Sequence, residues 1–356
     1  MPQTDPHAEG ARLLTICNSC RYCEGFCAVF PAMERRLHFA EADLNYLANL
    51  CHNCAECFYA CQYAPPHEFA VNIPKVLAEI RAESYQKYSW PGFLRGAWTV
   101  TLLALVLTVA ALAWIPRTHG GDFYAAVPHG VMVGFFGTMG LLVLAFWAIG
   151  LARFWNEDPS RPPFRVRAFP DALRDIVKLS NLSSHGAGCT YPNARHSQAR
   201  RMFHHFTFYG FLLCFASTSV AAAYDNFFGW KAPYDYLSVP VVLGALGGLG
   251  LIMGPLGLLA LKMRRDPRIT DARQDGMDIL LLALLVATAV TGLALMALRA
   301  TTAMSPLLAI HLAAVSALFV SLPLGKFVHG LYRSAALLRN ALEQRDRDEN
   351  EKRGER

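Results

Sequence analysis

Eight cysteines near the N-terminus have the spacing in this chain that most clearly predicts chemistry. They form two C-x2-C-x2-C-x3-C runs: Cys17, Cys20, Cys23 and Cys27, then Cys51, Cys54, Cys57 and Cys61. A tight loop with this spacing offers three thiolates to one [4Fe–4S] cube, while the fourth thiolate points towards a second cube. We therefore predict one cluster on Cys17, Cys20, Cys23 and Cys61, and another on Cys51, Cys54, Cys57 and Cys27.

Two other uses of cysteine fit these runs less well. Zinc sites also use C-x2-C pairs, but they separate the two pairs by a longer stretch. A disulfide framework is typical of small secreted domains, and no apolar stretch of signal-peptide length precedes the cysteines. The proline that usually follows the fourth cysteine is displaced to Pro31 in one run and to Pro65 and Pro66 in the other. This displacement changes the local turn but leaves the ligand count intact.

The composition predicts a membrane protein with a polar first domain. The 356 residues are 54% hydrophobic, and the mean hydropathy is +0.26. The apolar residues are concentrated after about residue 90. The net charge of +6 is more simply explained by the basic loops of a membrane protein than by nucleic acid, and we expect no nucleic-acid partner.

Six stretches are apolar and long enough to cross a bilayer, which takes about twenty residues. They are roughly 94–115, 129–151, 203–224, 238–262, 277–299 and 306–330. The polar loop 152–202 contains several prolines and cannot span. Within it, FPDALRDIVKLSNL is amphipathic and is predicted to lie along the membrane interface.

The predicted fold is mostly α-helical, with a ferredoxin-like two-cluster domain followed by a six-helix, cytochrome b-like membrane bundle. The expected boundaries are a disordered lead over 1–12, the cluster domain over 13–88, the membrane domain over 89–335 and a charged tail over 336–356.

Two helices are predicted in the cluster domain. One lies between the cysteine runs, where Leu37, Leu44, Leu47 and Leu50 recur at helical spacing. The other is IPKVLAEIRAESYQKY, which leads to the membrane.

Lysine and arginine predict the orientation in the membrane. They are concentrated in the loop 152–202 and between Lys262 and Arg273, on the side where the N-terminus would lie. We expect a multi-pass protein of the bacterial inner (cytoplasmic) membrane with both termini in the cytoplasm, where thiols stay reduced.

Histidines near the ends of the spans predict haem ligation. Ionisable residues at membrane depth are expensive and are commonly functional. His329 near the cytoplasmic end of the last span, with either His204 or His205 at the start of the third, predicts a bis-histidine haem b close to the clusters. The alternative is that His204 and His205 continue the basic loop at the interface.

A second haem is a weaker expectation from the sequence. His311 lies about five helical turns before His329, so a continuous last helix would place both on one side. His129, at the start of the second span, lies at a suitable depth to partner His311. The remaining histidines in polar segments, His52 among them, are interpreted as solvated or structural. Cys189 and Cys214 have no partner by spacing, and LGALGGLGLIMG is interpreted as a helix-packing surface.

The double cysteine run, the six spans and the stretch RRMFHHFTFYGFLLCFAS together resemble the tricarballylate/citrate-utilisation protein B family. The membrane half of a cobalamin-pathway flavoprotein is similar, and nitrate-reductase cytochrome b and heterodisulfide-reductase subunits are more distantly so. The resemblance covers nearly the whole chain. Where the nitrate-reductase-like pattern has a second histidine in the third span, this sequence has Cys214, which places the distal haem in question unless His129 substitutes.

The resemblance implies an electron-transfer partner for a soluble FAD-dependent dehydrogenase that acts on tricarballylate. Electrons would pass from the reduced flavin through two [4Fe–4S] clusters and haem b to membrane quinone. Two alternatives stay open. In the first, the chain is a membrane subunit of another quinone-linked redox complex. In the second, it is a membrane-anchored iron–sulfur sensor, which would need no haem.

Overall fold

The computed structural model describes residues 5–90, 97–112, 123–182 and 188–354, and these residues are helical with no strand. The helices are α1 (Pro6–Cys20), α2 (Val29–Glu34), α3 (Glu41–Leu50), α4 (Glu56–Tyr59), α5 (Ile73–Tyr88), α6 (Ala97–Leu112), α7 (Phe123–Ala126), α8 (His129–Asn156), α9 (Phe169–Lys178), α10 (Ala199–Phe228), α11 (Val239–Met263), α12 (Asp275–Leu298), α13 (Met304–Ser321) and α14 (Val328–Arg353). Short 3-10 turns flank α9 and precede α12.

The first helix begins earlier than the sequence suggested. Asp5 caps α1 by accepting a hydrogen bond from the backbone N–H of His7, and Pro6 occupies the first helical position, where its missing N–H costs nothing. Leu13 and Leu14 of this helix are buried. The expectation of a disordered lead over 1–12 is therefore wrong from Pro6 onwards.

The segment between the cysteine runs contains two helices where one was predicted. α2 ends at Glu34 and α3 begins at Glu41. Leu44, Leu47 and Leu50 are buried as expected, but Leu37 lies in the intervening turn and is 87% exposed. The predicted helix IPKVLAEIRAESYQKY is present as α5, and the Asn72 side chain caps it by accepting from the N–H of Lys75.

The membrane part contains five helices, among the described residues, that are long and apolar enough to cross a bilayer: His129–Asn156, Ala199–Phe228, Val239–Met263, Ala272–Leu298 and Met304–Ser321. The first predicted span, 94–115, is described only over α6, and its two ends lie outside the described residues. α13 packs against α6 and α12, and α11 packs against α10 and α12.

Glycines bring α10 and α11 into close contact. A Cβ atom at Gly254 would lie 2.5 Å from the backbone nitrogen of Thr207, and one at Gly247 would lie 2.8 Å from that of Cys214. Such small residues let two backbones approach. The interpretation of LGALGGLGLIMG as a packing surface agrees with these contacts.

The last predicted span, 306–330, is interrupted. α13 ends at Ser321, and α14 begins at Val328. Pro323 lies between them and cannot continue the helical hydrogen-bond ladder. His311 and His329 therefore lie on different helices, and the prediction that one helix presents both on the same side is wrong.

The C-terminal segment is part of the core of the polar domain. In α14, Val328, Tyr332 and Ala336 are buried against a core that includes Leu14 and Leu47. Glu343 pairs with Arg36 at 2.6 Å and with Arg35 at 3.0 Å. The expectation of a separate charged tail over 336–356 is wrong for the described residues up to Gly354.

The amphipathic segment of the polar loop forms α9. Ala168 and Ala172 pack against Ala341 and Leu342 of α14, while apolar side chains on other faces of the segment, including Phe169, stay exposed. The loop and α14 thus enclose one side of the cysteine domain.

Candidate functional site: two cysteine cavities beside a histidine pair

The first cysteine cavity has a volume of about 250 Å³ and opens to solvent. Its cysteines are Cys17, Cys20, Cys23, Cys57 and Cys61. α1 carries Cys17 and Cys20, and it ends directly afterwards because Arg21 adopts a left-handed conformation with φ 55°. Cys61, from the second run, is close enough to raise the pKa of Cys17.

The second cavity is smaller and is lined by the cysteines Cys27, Cys51, Cys54 and Cys57. Cys51 and Cys54 are each 8% exposed. Cys57 lines both cavities, so the two lie side by side. The fourth cysteine of each run thus lies with the first three of the other run, which is the grouping that the spacing predicts.

The loop that carries Cys51 and Cys54 is tightly turned. Asn53 and Ala55 adopt left-handed backbone conformations, with φ of 53° and 67°. The backbone N–H of Asn53 donates to Cys51 Sγ at 3.3 Å. A hydrogen bond of this kind to a ligand sulfur is one of the factors that tune iron–sulfur centres.

The free thiols of Cys17 and Cys23 in the first cavity hold their protons. Burial, followed by the proximity of the other cysteines, raises the pKa of Cys17 to about 12, and burial also raises the pKa of Cys23 to about 12. Four thiolates in one small cavity therefore need a cationic core to offset their charge. Among the described residues, no group of three or more His, Cys, Asp or Glu side chains is arranged to hold a metal ion.

His204 and His329 form a pair beside the second cavity. Their ring centroids are 6.2 Å apart and the planes are inclined at 71°. His329 Nδ1 donates to the carbonyl of Lys326 at 2.6 Å. A carbonyl only accepts, so this bond fixes the proton on Nδ1 and leaves Nε2 with a free lone pair.

The pair has the dimensions of a bis-histidine site. A metal bound by two imidazole nitrogens at about 2 Å each would place the ring centroids roughly 6 Å apart. His204 Nδ1 is buried and has no hydrogen-bond partner, and a metal ligand commonly has its second nitrogen bonded to a carbonyl, as His329 has. The two rings thus have the separation that two imidazoles ligating one metal atom would have.

His205 faces a different neighbour. Its ring lies against Tyr209 with centroids 5.7 Å apart, and it interacts with the backbone of Val177 and Lys178 at the end of α9. The sequence left His204 and His205 as equal candidates, and the structure brings only His204 to His329.

The second predicted histidine pair has divergent contacts. His129 Nε2 lies 2.5 Å from a carboxylate oxygen of Asp225, and its ring contacts Tyr124. His311 Nδ1 lies 3.0 Å from the hydroxyl of Thr291 on α12. Each histidine therefore has a polar partner other than the one that the sequence suggested.

Three arginines near the second cavity were not identified from the sequence. Arg81 and Arg333 both donate to the carbonyl of Cys51 at 2.8 Å. Arg200 donates to the carbonyl of Asn53 at 2.6 Å. Arg200 is four residues before His204, and Arg333 is four residues after His329. Residues at this spacing share a helix face, so the sequence could have indicated that each arginine lies near its histidine.

His52 and Cys189 were also interpreted too simply. His52 is buried, and this burial, with Arg333 nearby, lowers its pKa well below the usual range. It is therefore a neutral group between the second cavity and the histidine pair. Cys189 is fully buried in the same cluster as Cys54, and its thiol donates to the carbonyl of Leu182 at 3.4 Å; distance along the chain concealed its proximity to Cys54. Cys214 lies against Gly247 in the helix interface.

Comparison with known proteins gives matches over nearly the whole chain. The family model described as citrate utilization protein B matches residues 93–350, and its Fer4-like domain matches residues 10–87. The citrate utilization protein B of Escherichia coli is 48% identical, covering 96% of this chain and 94% of the relative. No solved structure matches the chain. The Fer4-like domain indicates an iron–sulfur electron-transfer role.

Proposed function

Because the chain belongs to the citrate utilization protein B family, we propose that it is a membrane-bound electron-transfer protein linking a soluble FAD-dependent dehydrogenase to membrane quinone. The dehydrogenase is of the tricarballylate-oxidising kind. Its reduced flavin loses two electrons, and quinone gains two electrons with two protons from water. The orientation is with both termini in the cytoplasm.

The two cavities hold the two [4Fe–4S] clusters in this proposal. Cys17, Cys20, Cys23 and Cys61 hold the first, and Cys27, Cys51, Cys54 and Cys57 hold the second. His204 and His329 hold haem b. When bound, each of these groups carries one electron at a time. They would therefore pass the two electrons of the reduced flavin to quinone in single steps.

One observation carries the proposal: the three sites follow one another from the surface into the membrane domain. The first cavity opens to solvent, beside Tyr22, which is 67% exposed. Cys57 joins it to the second cavity. The Cys51 carbonyl of that cavity accepts from Arg333, one helical turn after His329.

The residues of the chain do three separate tasks in this arrangement. The open first cavity gives a soluble flavoprotein access to a redox centre. The second cavity is smaller, and its Cys51 and Cys54 are each 8% exposed, which keeps the middle of the route largely away from water. The bond from His329 to the Lys326 carbonyl orients an imidazole at the start of α14, where the polar domain meets the membrane helices.

The proposal is tested by anaerobic purification in detergent, with iron, acid-labile sulfide and haem b counted per chain. We expect about eight non-haem irons, eight sulfides and one haem. After reduction, a soluble quinone analogue should reoxidise the haem. Two haems per chain would return His129 and His311 to consideration as ligands.

Two results would overturn the proposal. Zinc without sulfide or haem would leave a structural metal domain on a membrane anchor. A haem that quinol reduces, and that quinone does not reoxidise, would reverse the route and make the chain the quinol-oxidising subunit of a reductase.

A further inference from the structure

The three arginines Arg81, Arg200 and Arg333 place uncompensated positive charge against the second cysteine loop. Arg81 is 4% exposed, and its Nη1 donates to the carbonyls of Ala48 at 3.0 Å and Cys51 at 2.8 Å. Arg333 donates to the same Cys51 carbonyl from the other side. Arg200 donates to Asn53 and lies over the ring of Tyr191.

All these acceptors are neutral. Within the described part of the chain, the ion pairs of 4.0 Å or less include none made by these three arginines. Elsewhere on the same domain, buried arginines do pair with acids: Arg36 with Asp43 and Glu343, and Arg339 with Asp158. Arg81 is buried, Arg200 and Arg333 are half-buried, and a cation withdrawn from water without a counter-charge is costly. The anion that these arginines face is the second set of four cysteines.

The first cysteine set has a different environment. Its cysteines Cys17, Cys20, Cys23 and Cys61 are half-buried, whereas Cys51 and Cys54 are buried, so water screens charges more effectively around the first set. Arg21 donates to the Asn18 carbonyl beside it, but Arg21 is exposed. Glu56 lies close enough to act on Cys23 and also on Cys189 beside Cys54, so this acid is shared by both sets and the three arginines are what distinguishes them. The two sets share a spacing but not an electrostatic field.

We propose that Arg81, Arg200 and Arg333 raise the reduction potential of the cluster on Cys27, Cys51, Cys54 and Cys57 above that of the cluster on Cys17, Cys20, Cys23 and Cys61. Reduction adds one electron to a centre that thiolates already make negative, and nearby fixed cations stabilise the added charge. An electron that enters at the open cavity therefore favours the inner one. The inference rests on the proposed function only in requiring that both clusters are present.

The test is a potentiometric titration of the full-length protein, followed by electron paramagnetic resonance for the clusters and by optical absorption for the haem. Cys20→Ser and Cys54→Ser variants identify which signal belongs to which cluster. We expect the inner cluster to be reduced first as the potential falls.

The decisive variant is Arg333→Gln, which removes the charge and keeps a hydrogen-bond donor. We expect the inner cluster to become harder to reduce by at least tenfold in its equilibrium constant, about 59 mV for a one-electron couple. Arg333→Lys should preserve most of the potential. Arg21→Gln is the matched control, because Arg21 also binds a loop carbonyl but is exposed, and it should shift neither cluster comparably.

Because Arg333 is close to His329, Arg200→Gln provides a second variant on a different helix, and it should lower the same potential. Iron and sulfide contents equal to wild type establish that each variant is loaded. Equal midpoints for the two clusters, or unchanged potentials in loaded Arg333→Gln and Arg200→Gln proteins, would overturn the inference. A wild-type protein without clusters would instead overturn the proposed function.

Discussion

His204 and His205 are adjacent in the sequence but have different surroundings. We therefore expect their substitution to have different effects on haem content. Substituting His204 by alanine should abolish haem b binding, because the ring that faces His329 is lost. His205→Ala should keep nearly full haem content, since that ring lies against Tyr209 and α9. The pyridine haemochrome content of each purified variant measures this.

The iron and sulfide contents are the control for this pair, and they should equal wild type in both variants. Loss of haem in His205→Ala with retention in His204→Ala would reverse the assignment.

For single residues, the sequence identifies the candidate cysteine ligands but not the residues that surround them. Cysteine spacing is a local property, so the two runs can be identified without a structure. The groups around them, such as Arg81, Arg200, Arg333 and Cys189, come from distant parts of the chain. No local pattern marks a residue that becomes important only when α5, α10 and α14 meet.

Helix α14 is joined to the cysteine domain by a buried network of ions around Glu343. Its carboxylate contacts Arg35, Arg36 and Arg339. Glu343→Gln should destabilise the docked helix by about 1.5–3 kcal/mol, because Arg35 loses its carboxylate while Arg36 keeps Asp43 and Arg339 keeps Asp158. Thermal unfolding in detergent, with iron release as the probe, measures the loss.

Glu351→Gln is the matched control, because Glu351 forms an exposed pair with Arg347 at 3.7 Å, and such pairs contribute little. Equal unfolding temperatures for both variants would contradict the role of Glu343.

The same carboxylate gives the docking of α14 a dependence on pH. Burial alone would raise the pKa of Glu343, but the hydrogen bond and charge of Arg36 lower it below its usual value. The stabilisation is therefore complete above the unfolded pKa of about 4.3 and is lost as the pH falls through the lower folded value. Acid should release iron from wild type in this range, and the pH slope should be smaller in Glu343→Gln.

The glycine contact between α10 and α11 positions His204. A Cβ at Gly254 would meet the Thr207 nitrogen at 2.5 Å and the Phe203 carbonyl oxygen at 2.7 Å. Gly254→Ala should push the helices apart at a cost of about 1–3 kcal/mol and reduce haem retention, since His204 follows Phe203 directly.

Gly134→Ala provides the comparison, because no atom lies within 4 Å of the added Cβ. It should keep its haem. A haem content in Gly254→Ala equal to that of Gly134→Ala would show that the helix spacing does not govern the site.

The molecule consists of a cysteine domain and a set of membrane helices, and α14 packs against the cysteine domain. Truncation of α14 tests whether the cysteine domain needs this contact. A chain that ends at Ala336 keeps every predicted ligand but loses Arg339, Asn340 and Glu343, which bind the cysteine domain. We expect it to lose most of its iron. A chain that ends at Asn350 should retain its clusters, and iron counts on both purified proteins distinguish the two. Equal iron in both would mean that the cysteine domain stands without α14.

The sequence predicts the two-part organisation because hydropathy and cysteine spacing are both visible along the chain. Helix α5 is also predictable, from its cap at Asn72 and its apolar face. The sequence does not predict that α14 packs against the cysteine domain. Residues 336–353 are polar enough to be interpreted as a solvated tail, but Asn340 and Glu343 within them accept hydrogen bonds from Arg35 and Arg36, which directly follow α2.

The contact between α14 and the cysteine domain joins two segments that are synthesised at different times. The cysteine domain leaves the ribosome first, and the helix that covers Tyr85 and Tyr88 is synthesised last. At translation rates of about 5–20 residues per second, the nascent domain waits on the order of tens of seconds with that aromatic surface uncovered. During this interval the face of the cysteine domain that carries Tyr85 and Tyr88 stays uncovered, and it is covered only once α14 has been synthesised.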